Sequence, residues 1–383
     1  MATPLANIIR FLTAGITTVS FVAAINFIID PLQLFWHHGV FYAYTADSRL
    51  QNAGLIRSQD YNAVLMGTSL SVHLRPSDVN RTFGVRAVKL AMSGSDSVEQ
   101  RFVLDVAMAR RPALVFWELD DRTFFESPAI DENKFIRPDL YRRNLKGIIG
   151  YLLDLDITRE SFFIALSAIK PFKAIAHGLA AAQYLKFYGD EVDEIGTLPA
   201  TTDLSAIYNA GSIRAAFATA EKYPKEIYFR YNYQTLVRNF ERDFISIIRD
   251  HPETKFCVFV PPYSILQFVT IRDVSPEALQ TIYDFSAYAF PRLLSLPNVT
   301  LFDFRVAQDI THDLDNYMDL LHYRPMVDQR VLSLLAGGKY RVTRAAPSDS
   351  IERLARQVAT FDTATMRPHA VQPTSDAGGP GCR

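Results

Sequence analysis

Apolar positions follow three distinct rhythms along this chain. Near the N-terminus, "FLTAGITTVSFVAAINFII" (Phe11 to Ile29) contains no charged residue. Farther on, apolar runs are short and unbroken: "NAVLMGTS" from Asn62, "AVKLAMSGS" from Ala87, "PALVFWELD" from Pro112, "KFCVFVPPY" from Lys255 and "VTLFDFR" from Val299. Each is bounded by Gly, Pro, Ser or Asp and reads as a buried strand. Between them the period lengthens to that of a helix. "SVEQRFVLDVAMARR" (Ser97 to Arg111) sets Phe102, Val103, Val106 and Ala107 on one face, with Asp96 or Ser97 placed to cap it. Leu236, Val237, Phe240, Phe244, Ile247 and Ile248 form a second stripe. Pro276 opens a third helix, and a fourth begins at "RPMVDQR" and ends at Gly337-Gly338.

Strand, strand, helix, strand is the order of a parallel sheet covered by helices. The pattern predicts an α/β fold with a mostly parallel sheet of about five strands, Val299–Arg305 being the last. It breaks at 124–225, where stretches such as "GIIGYLLDL" and "ESFFIALSAIK" predict a helical insertion placed to cap a site. The predicted organisation is an anchor at 1–30, an irregular aromatic connector at 31–60, a main domain at 61–343 and a tail at 344–383. Pro, Ser, Thr, Ala and Gly dominate that tail, which predicts disorder.

The uncharged N-terminal run is about as long as the ~20 residues a bilayer span needs. Arg10 precedes it, Asp30-Pro31 ends it, and the next basic residue is Arg49. A signal peptide would have a shorter apolar region and a small-residue exit, and Ala23-Ala24 before "INFIID" fits that poorly. A buried core helix is the other alternative, since Thr13, Thr17, Thr18, Ser20 and Asn26 dilute the run. Length and flanking charge favour a single-pass anchor with the N-terminus inside and the body outside.

Net charge is -1, so nothing argues for nucleic acid as a partner. The only cysteines, Cys257 and Cys382, suggest neither a disulfide framework nor a metal site. No cofactor motif is present.

In open parallel sheets, ligands bind beyond the carboxyl ends of the strands. Those ends carry Gly67-Thr68-Ser69, Ser93-Gly94-Ser95, Asp120-Asp121 and Pro261-Pro262-Tyr263, and the fifth leads to Asp319 and His322. A serine hydroxyl needs a base within reach. His322 is that base, and Asp319, three residues earlier, orients its ring. Backbone N–H groups of Ser69 and Gly94 are the candidate oxyanion donors. Taken singly, each feature reads better as a turn or a cap; their ordered recurrence at strand ends is what suggests chemistry. The aromatic stretch "YPKEIYFRYNY" (Tyr223 to Tyr233) is a candidate for stacking sugar rings or for core packing.

"LMGTSLS" with Ser69, "KLAMSGSDSVEQ" with Gly94 and "DLLH" with Asp319 and His322 together resemble the blocks of the SGNH/GDSL hydrolase superfamily. With "VFVPPYS", their context is similar to membrane-anchored SGNH-like proteins of bacterial polysaccharide loci, relatives of the alginate O-acetyltransferases. The resemblance implies a flavodoxin-like, three-layer α/β/α domain and serine-dependent acyl chemistry, typically on acetyl esters. It also implies a cell-envelope glycan substrate, polysaccharide machinery as a partner, and a periplasmic domain on a bacterial inner-membrane anchor. One departure stands out. The family's third block supplies an Asn, whereas Asp120-Asp121 stand here, and an ionised carboxylate accepts rather than donates. His73 and Arg75 are candidate substitute donors, or plain surface-loop residues. A degenerate, glycan-binding or scaffolding domain is therefore the alternative.

Overall fold

The computed structural model describes residues 4–36, 44–45, 48–127, 129–130, 136–142, 144–167, 185–186, 205–220 and 225–363. At its centre is a six-stranded sheet: β1 (Ala63–Met66), β2 (Ala87–Lys89), β3 (Leu114–Glu118), β4 (Lys255–Val260), β5 (Val299–Asp303) and β6 (Arg341–Val342). The spatial order is β2-β1-β3-β4-β5-β6, and all neighbours are parallel except β6, which runs antiparallel to β5.

Register aligns the apolar runs across the sheet. Val88, Val64, Val115, Phe256 and Val299 form one continuous row of partners. The first four of these are essentially inaccessible to solvent, as expected for strands covered on both faces, which explains why their runs do not alternate. Helix Ser97–Met108 starts at a capping box in which Asp96 and Glu99 bond reciprocally to each other's backbone. Trp117 of β3 stacks on Phe244 with ring centroids 3.8 Å apart, and its indole N–H donates to Gln100 at 2.8 Å. One β3 side chain thus ties together both helical stripes seen in the sequence. The second stripe carries a π turn at Glu241–Ile245.

Four boundaries differ from the sequence reading. The sheet has six strands rather than about five, because β6 adds an antiparallel edge. The tail is not disordered from 344: Asp349–Thr360 is a helix that buries Ile351, Leu354 and Val358, and 364–383 lie outside the described residues. The connector is not irregular throughout. Ser48–Ser58 is a helix with Gln51 to Ile56 all buried. A β-carbon on Gly54 would sit 1.6 Å from the Leu32 carbonyl oxygen, so the two segments meet backbone to backbone. Within the insertion, helices Pro138–Tyr141, Leu145–Leu152, Leu155–Ser167 and Ala210–Ala220 form as expected. It also holds a two-residue strand, Leu185–Lys186, antiparallel to Tyr44–Thr45; most of 168–204 lies outside the described residues.

The N-terminal run is one helix, Pro4–Ile29, long and apolar enough to cross a membrane, with a mean hydropathy of 1.9 in its most apolar window. Most of it is exposed; its last two turns pack against other described residues. There Asn26 is fully buried. Its amide donates to the Leu152 carbonyl (2.9 Å) and Thr158 Oγ1 (2.8 Å), and its oxygen accepts from Ser161 (2.9 Å). Asp30 follows with φ +48°, a backbone region non-glycine residues rarely adopt. Its carboxylate accepts from the backbone N–H groups of Leu34, Phe35 and Trp36 and from the Tyr151 hydroxyl.

Candidate active site

Because five strands run parallel, their carboxyl ends share one edge, and the loops carrying the candidate residues leave from it. After β1 the chain makes a tight turn of 3-10 helix at Ser69–Ser71. Gly67 precedes it for a steric reason. A β-carbon there would lie 2.5 Å from Ser71 Oγ and 2.6 Å from Glu118 Oε2. That space is filled by Glu118, the last residue of β3. Its buried carboxylate accepts from the Thr68 hydroxyl (2.6 Å), the Thr68 N–H (3.2 Å) and the Ser71 hydroxyl. The Ser69 turn is therefore clamped by a carboxylate in the neighbouring strand. Burial and the Asp120 charge push Glu118 up to about 7, against the hydrogen bonds from Ser71 and Thr68.

From the far side of the sheet comes the loop "YMDLLHYRP". Ser69 Oγ lies 2.9 Å from His322 Nε2, and His322 Nδ1 lies 2.7 Å from Asp319 Oδ2. The other Asp319 oxygen accepts from the N–H groups of Leu321 (2.8 Å) and His322 (2.7 Å). The three-residue spacing thus closes a turn in which one carboxylate organises both backbone and ring. Burial pushes Asp319 up, but hydrogen bonds from the His322 side chain and backbone outweigh it and hold the group below its usual range. Tyrosines flank the turn and pair with each other as an isolated bridge. Tyr317 donates to the Pro262 carbonyl at 2.7 Å and Tyr323 to the Leu70 carbonyl at 2.9 Å. The His322 turn is so tethered both to the β4 exit and to the Ser69 turn.

The three residues predicted as a triad are brought together. Gly94 has φ +63°, the left-handed region that favours glycine. Its loop is held to the nucleophile turn: Met92 N–H (2.9 Å) and Ser95 Oγ (3.4 Å) both donate to the Gly67 carbonyl. Neither the Ser69 nor the Gly94 N–H donates to any protein acceptor among the described residues. A β-carbon at Gly94 would meet nothing within 4 Å.

A scan against protein-family models finds no match to this chain, and a search of curated proteins finds no relative. The site stands on its own geometry.

The two aspartates after β3 go elsewhere. Asp120 caps the turn Asp121–Phe124 and accepts from the Arg122 backbone N–H (3.0 Å), Nε (2.9 Å) and Nη2 (2.6 Å). Burial pushes it up, but the Arg122 guanidinium holds it below the usual carboxylate range. Asp121 lines a cavity with Tyr263, Ser286 and Arg305. Burial and the Asp120 charge push it up to about 7. The same device recurs after β5, where Asp303 caps its own turn and pairs with Arg305 at 2.8 and 2.7 Å. Both strand ends thus spend their aspartate on an arginine two residues later, and neither Asp120 nor Asp121 hydrogen-bonds to Ser69 or His322.

His73 is partly buried beside the site. Burial and the charges of Lys89, His322 and Arg75 push it down to about 4, and its Nδ1 has no hydrogen-bond partner among the described residues. Arg75 is half-buried and leads into helix Pro76–Phe83. Two residues missed by the sequence reading complete the surroundings. Glu118 is one. Tyr208, brought by the insertion, is the other: it is buried, and the Asp328, Asp319 and Arg324 charges act on it. Next to it the Ala210 N–H donates to Asp315 at 2.8 Å, so the insertion abuts the base loop. The aromatic stretch splits: Tyr228 and Tyr231 pack on the core, Phe229 and Tyr233 are exposed, and 221–224 lie outside the described residues.

Proposed function

We propose that this chain is a serine-dependent acyl-ester hydrolase or O-acyltransferase. One observation carries the reading: Ser69, His322 and Asp319 stand in series at 2.9 and 2.7 Å, brought together from two turns far apart in the chain. That is the nucleophile, base and orienting acid of covalent acyl transfer. His322 Nε2 takes the Ser69 proton as Oγ attacks the acyl carbon. The N–H groups of Ser69 and Gly94 face the developing oxyanion. Collapse breaks the ester bond, and His322 returns the proton to the leaving alkoxide. A water or a sugar hydroxyl, deprotonated by His322, then attacks the acyl-serine and frees the enzyme. The missing amide of the third block is met here by backbone donors alone, with Asp120 neutralised by Arg122.

The strand order 2-1-3-4-5 is that of a doubly wound, flavodoxin-like sheet, and with the motif blocks it supports an SGNH/GDSL-type domain in three layers. The substrate class rests on that resemblance: an acyl, typically acetyl, ester on a cell-envelope glycan. The 26-residue apolar helix supports a single-pass anchor in the bacterial inner membrane with the domain on the periplasmic side, beside polysaccharide machinery.

A fluorophosphonate probe tests the reading. The full chain in detergent is expected to label covalently, and labelling is expected to vanish in Ser69→Ala and in His322→Ala. Absence of labelling in the parent chain, with glycan binding unaffected by both substitutions, would overturn it in favour of a non-catalytic glycan-binding or scaffolding domain.

A further inference from the structure

Among the described residues, ten large apolar side chains are exposed outside the N-terminal helix, and five of them fall in one region: Leu145 (72%), Ile149 (47%), Leu153 (41%), Leu155 (81%) and Phe162 (57%). All five lie on or between helices Leu145–Leu152 and Leu155–Ser167, the two that pack against the N-terminal helix. Leu145, Ile149 and Leu153 recur every four residues and so share one face. A soluble domain rarely leaves such a stripe bare.

The depth of this stripe follows from the anchor. The uncharged run Phe11–Ile29 rises about 28 Å, close to the ~30 Å hydrocarbon thickness of a bilayer. Asp30 then marks the outer boundary. The two insertion helices pack against the N-terminal helix, and Val22, Ala23, Ile25, Asn26 and Ile29 lose exposure in its last two turns, about 10 Å before that boundary. Amphipathic helices lying in a membrane interface bury their apolar faces to a similar depth of ~5–10 Å. Lys146, Asp156 and Arg159 are exposed on the same helices, a mixed face suited to headgroups rather than to the hydrocarbon centre. Asn26 gives the second, independent sign. Its amide is wholly satisfied by Leu152, Thr158 and Ser161, the pairing a polar side chain requires where water is absent. Phe35 and Trp36 pack on Phe27, and Tyr151 packs on Phe35, at this level, as aromatic side chains do at membrane boundaries.

We propose that helices Leu145–Leu152 and Leu155–Ser167 lie in the outer boundary of the bilayer as a collar around the anchor. In that position Leu145, Ile149, Leu153, Leu155 and Phe162 sit among the lipid acyl chains. The proposal rests on the reading of Pro4–Ile29 as a membrane anchor.

The test uses the full chain with Cys257→Ser and Cys382→Ser, carrying one environment-sensitive fluorophore on a new cysteine. Variants Ile16→Cys, Ile149→Cys, Leu153→Cys and Phe229→Cys are reconstituted in phosphatidylcholine–phosphatidylglycerol vesicles. Nitroxide lipids, labelled near the headgroup or deep in the chain, serve as quenchers. Position 16 is expected to be quenched by the deep nitroxide. Positions 149 and 153 are expected to lose most of their emission to the shallow nitroxide, and position 229 none. Quenching at 16 without quenching at 149 and 153 overturns the collar while leaving the anchor in place. The same holds if 149 and 153 are shielded from lipid and crosslink to a second copy. No quenching at 16 overturns the anchor itself, and the collar with it.

Discussion

The hydroxyl of Tyr323 donates to the carbonyl of Leu70 at 2.9 Å. Tyr323, next to His322, thereby holds Leu70, next to Ser69, across 253 positions of sequence. Tyr323→Phe removes that hydroxyl and leaves the ring. A stability loss of ~1 kcal/mol is expected, together with slower fluorophosphonate labelling, because the distance between Ser69 and His322 is no longer pinned. An unchanged labelling rate, with the thermal midpoint lowered, would show that the tether supports the fold alone.

Asp319 accepts the His322 Nδ1 proton and two backbone N–H groups at once. Asp319→Asn is expected to keep the turn but present the wrong tautomer to Ser69. The expected loss in acyl transfer is on the order of 10^4-fold, the size known for the equivalent swap in serine proteases. Steady-state hydrolysis of an activated acetyl ester measures it.

Glu118 titrates within the working range. Raised to about 7, it binds its proton more tightly in the folded state than in the unfolded chain. The stabilisation this gives is complete below about pH 4.5 and is lost as pH climbs through 7. Glu118→Gln stays neutral throughout. Its thermal midpoint relative to the parent is therefore expected to rise between pH 5 and pH 8. A difference that stays flat over that window would mean that Glu118 is ionised at all these pH values.

Two glycines make opposite predictions. At Gly67 a methyl group would collide with Ser71 Oγ and Glu118, so Gly67→Ala is expected to displace the nucleophile turn, abolish labelling and cost about 1–3 kcal/mol. At Gly94 the space is open and only the φ of +63° resists. Gly94→Ala is expected to cost about 1–2 kcal/mol and to leave the chain folded. Calorimetry of both variants beside labelling separates steric from conformational cost.

Much of this was legible before any coordinates, for identifiable reasons. Val64, Val88, Val115 and Phe256 sit in mostly apolar runs that do not alternate, as strands covered on both faces require. Asp319 and His322 were legible because a three-residue spacing suffices to close the turn that joins them. Glu118 was overlooked although its signal was present: it is a carboxylate inside the apolar run "LVFWELD", where ionisation is costly without nearby donors. The fate of Asp120 depended on Arg122, two residues on, and nothing in a one-dimensional pattern says which way that pair turns. The Asp349–Thr360 helix was lost in the composition of the Pro- and Ser-rich end. Its stripe of Ile351, Leu354 and Val358 was there to be counted.

Asp30 gathers three backbone N–H groups and a tyrosine hydroxyl at the point where the apolar helix ends. A joint so crowded does not swivel. If the helix stands in a bilayer, the domain is a lamp on a fixed bracket rather than a float on a string. Ser69 then holds one height and one direction, and under the proposed acyl chemistry an ester is reached only where it is delivered to that spot.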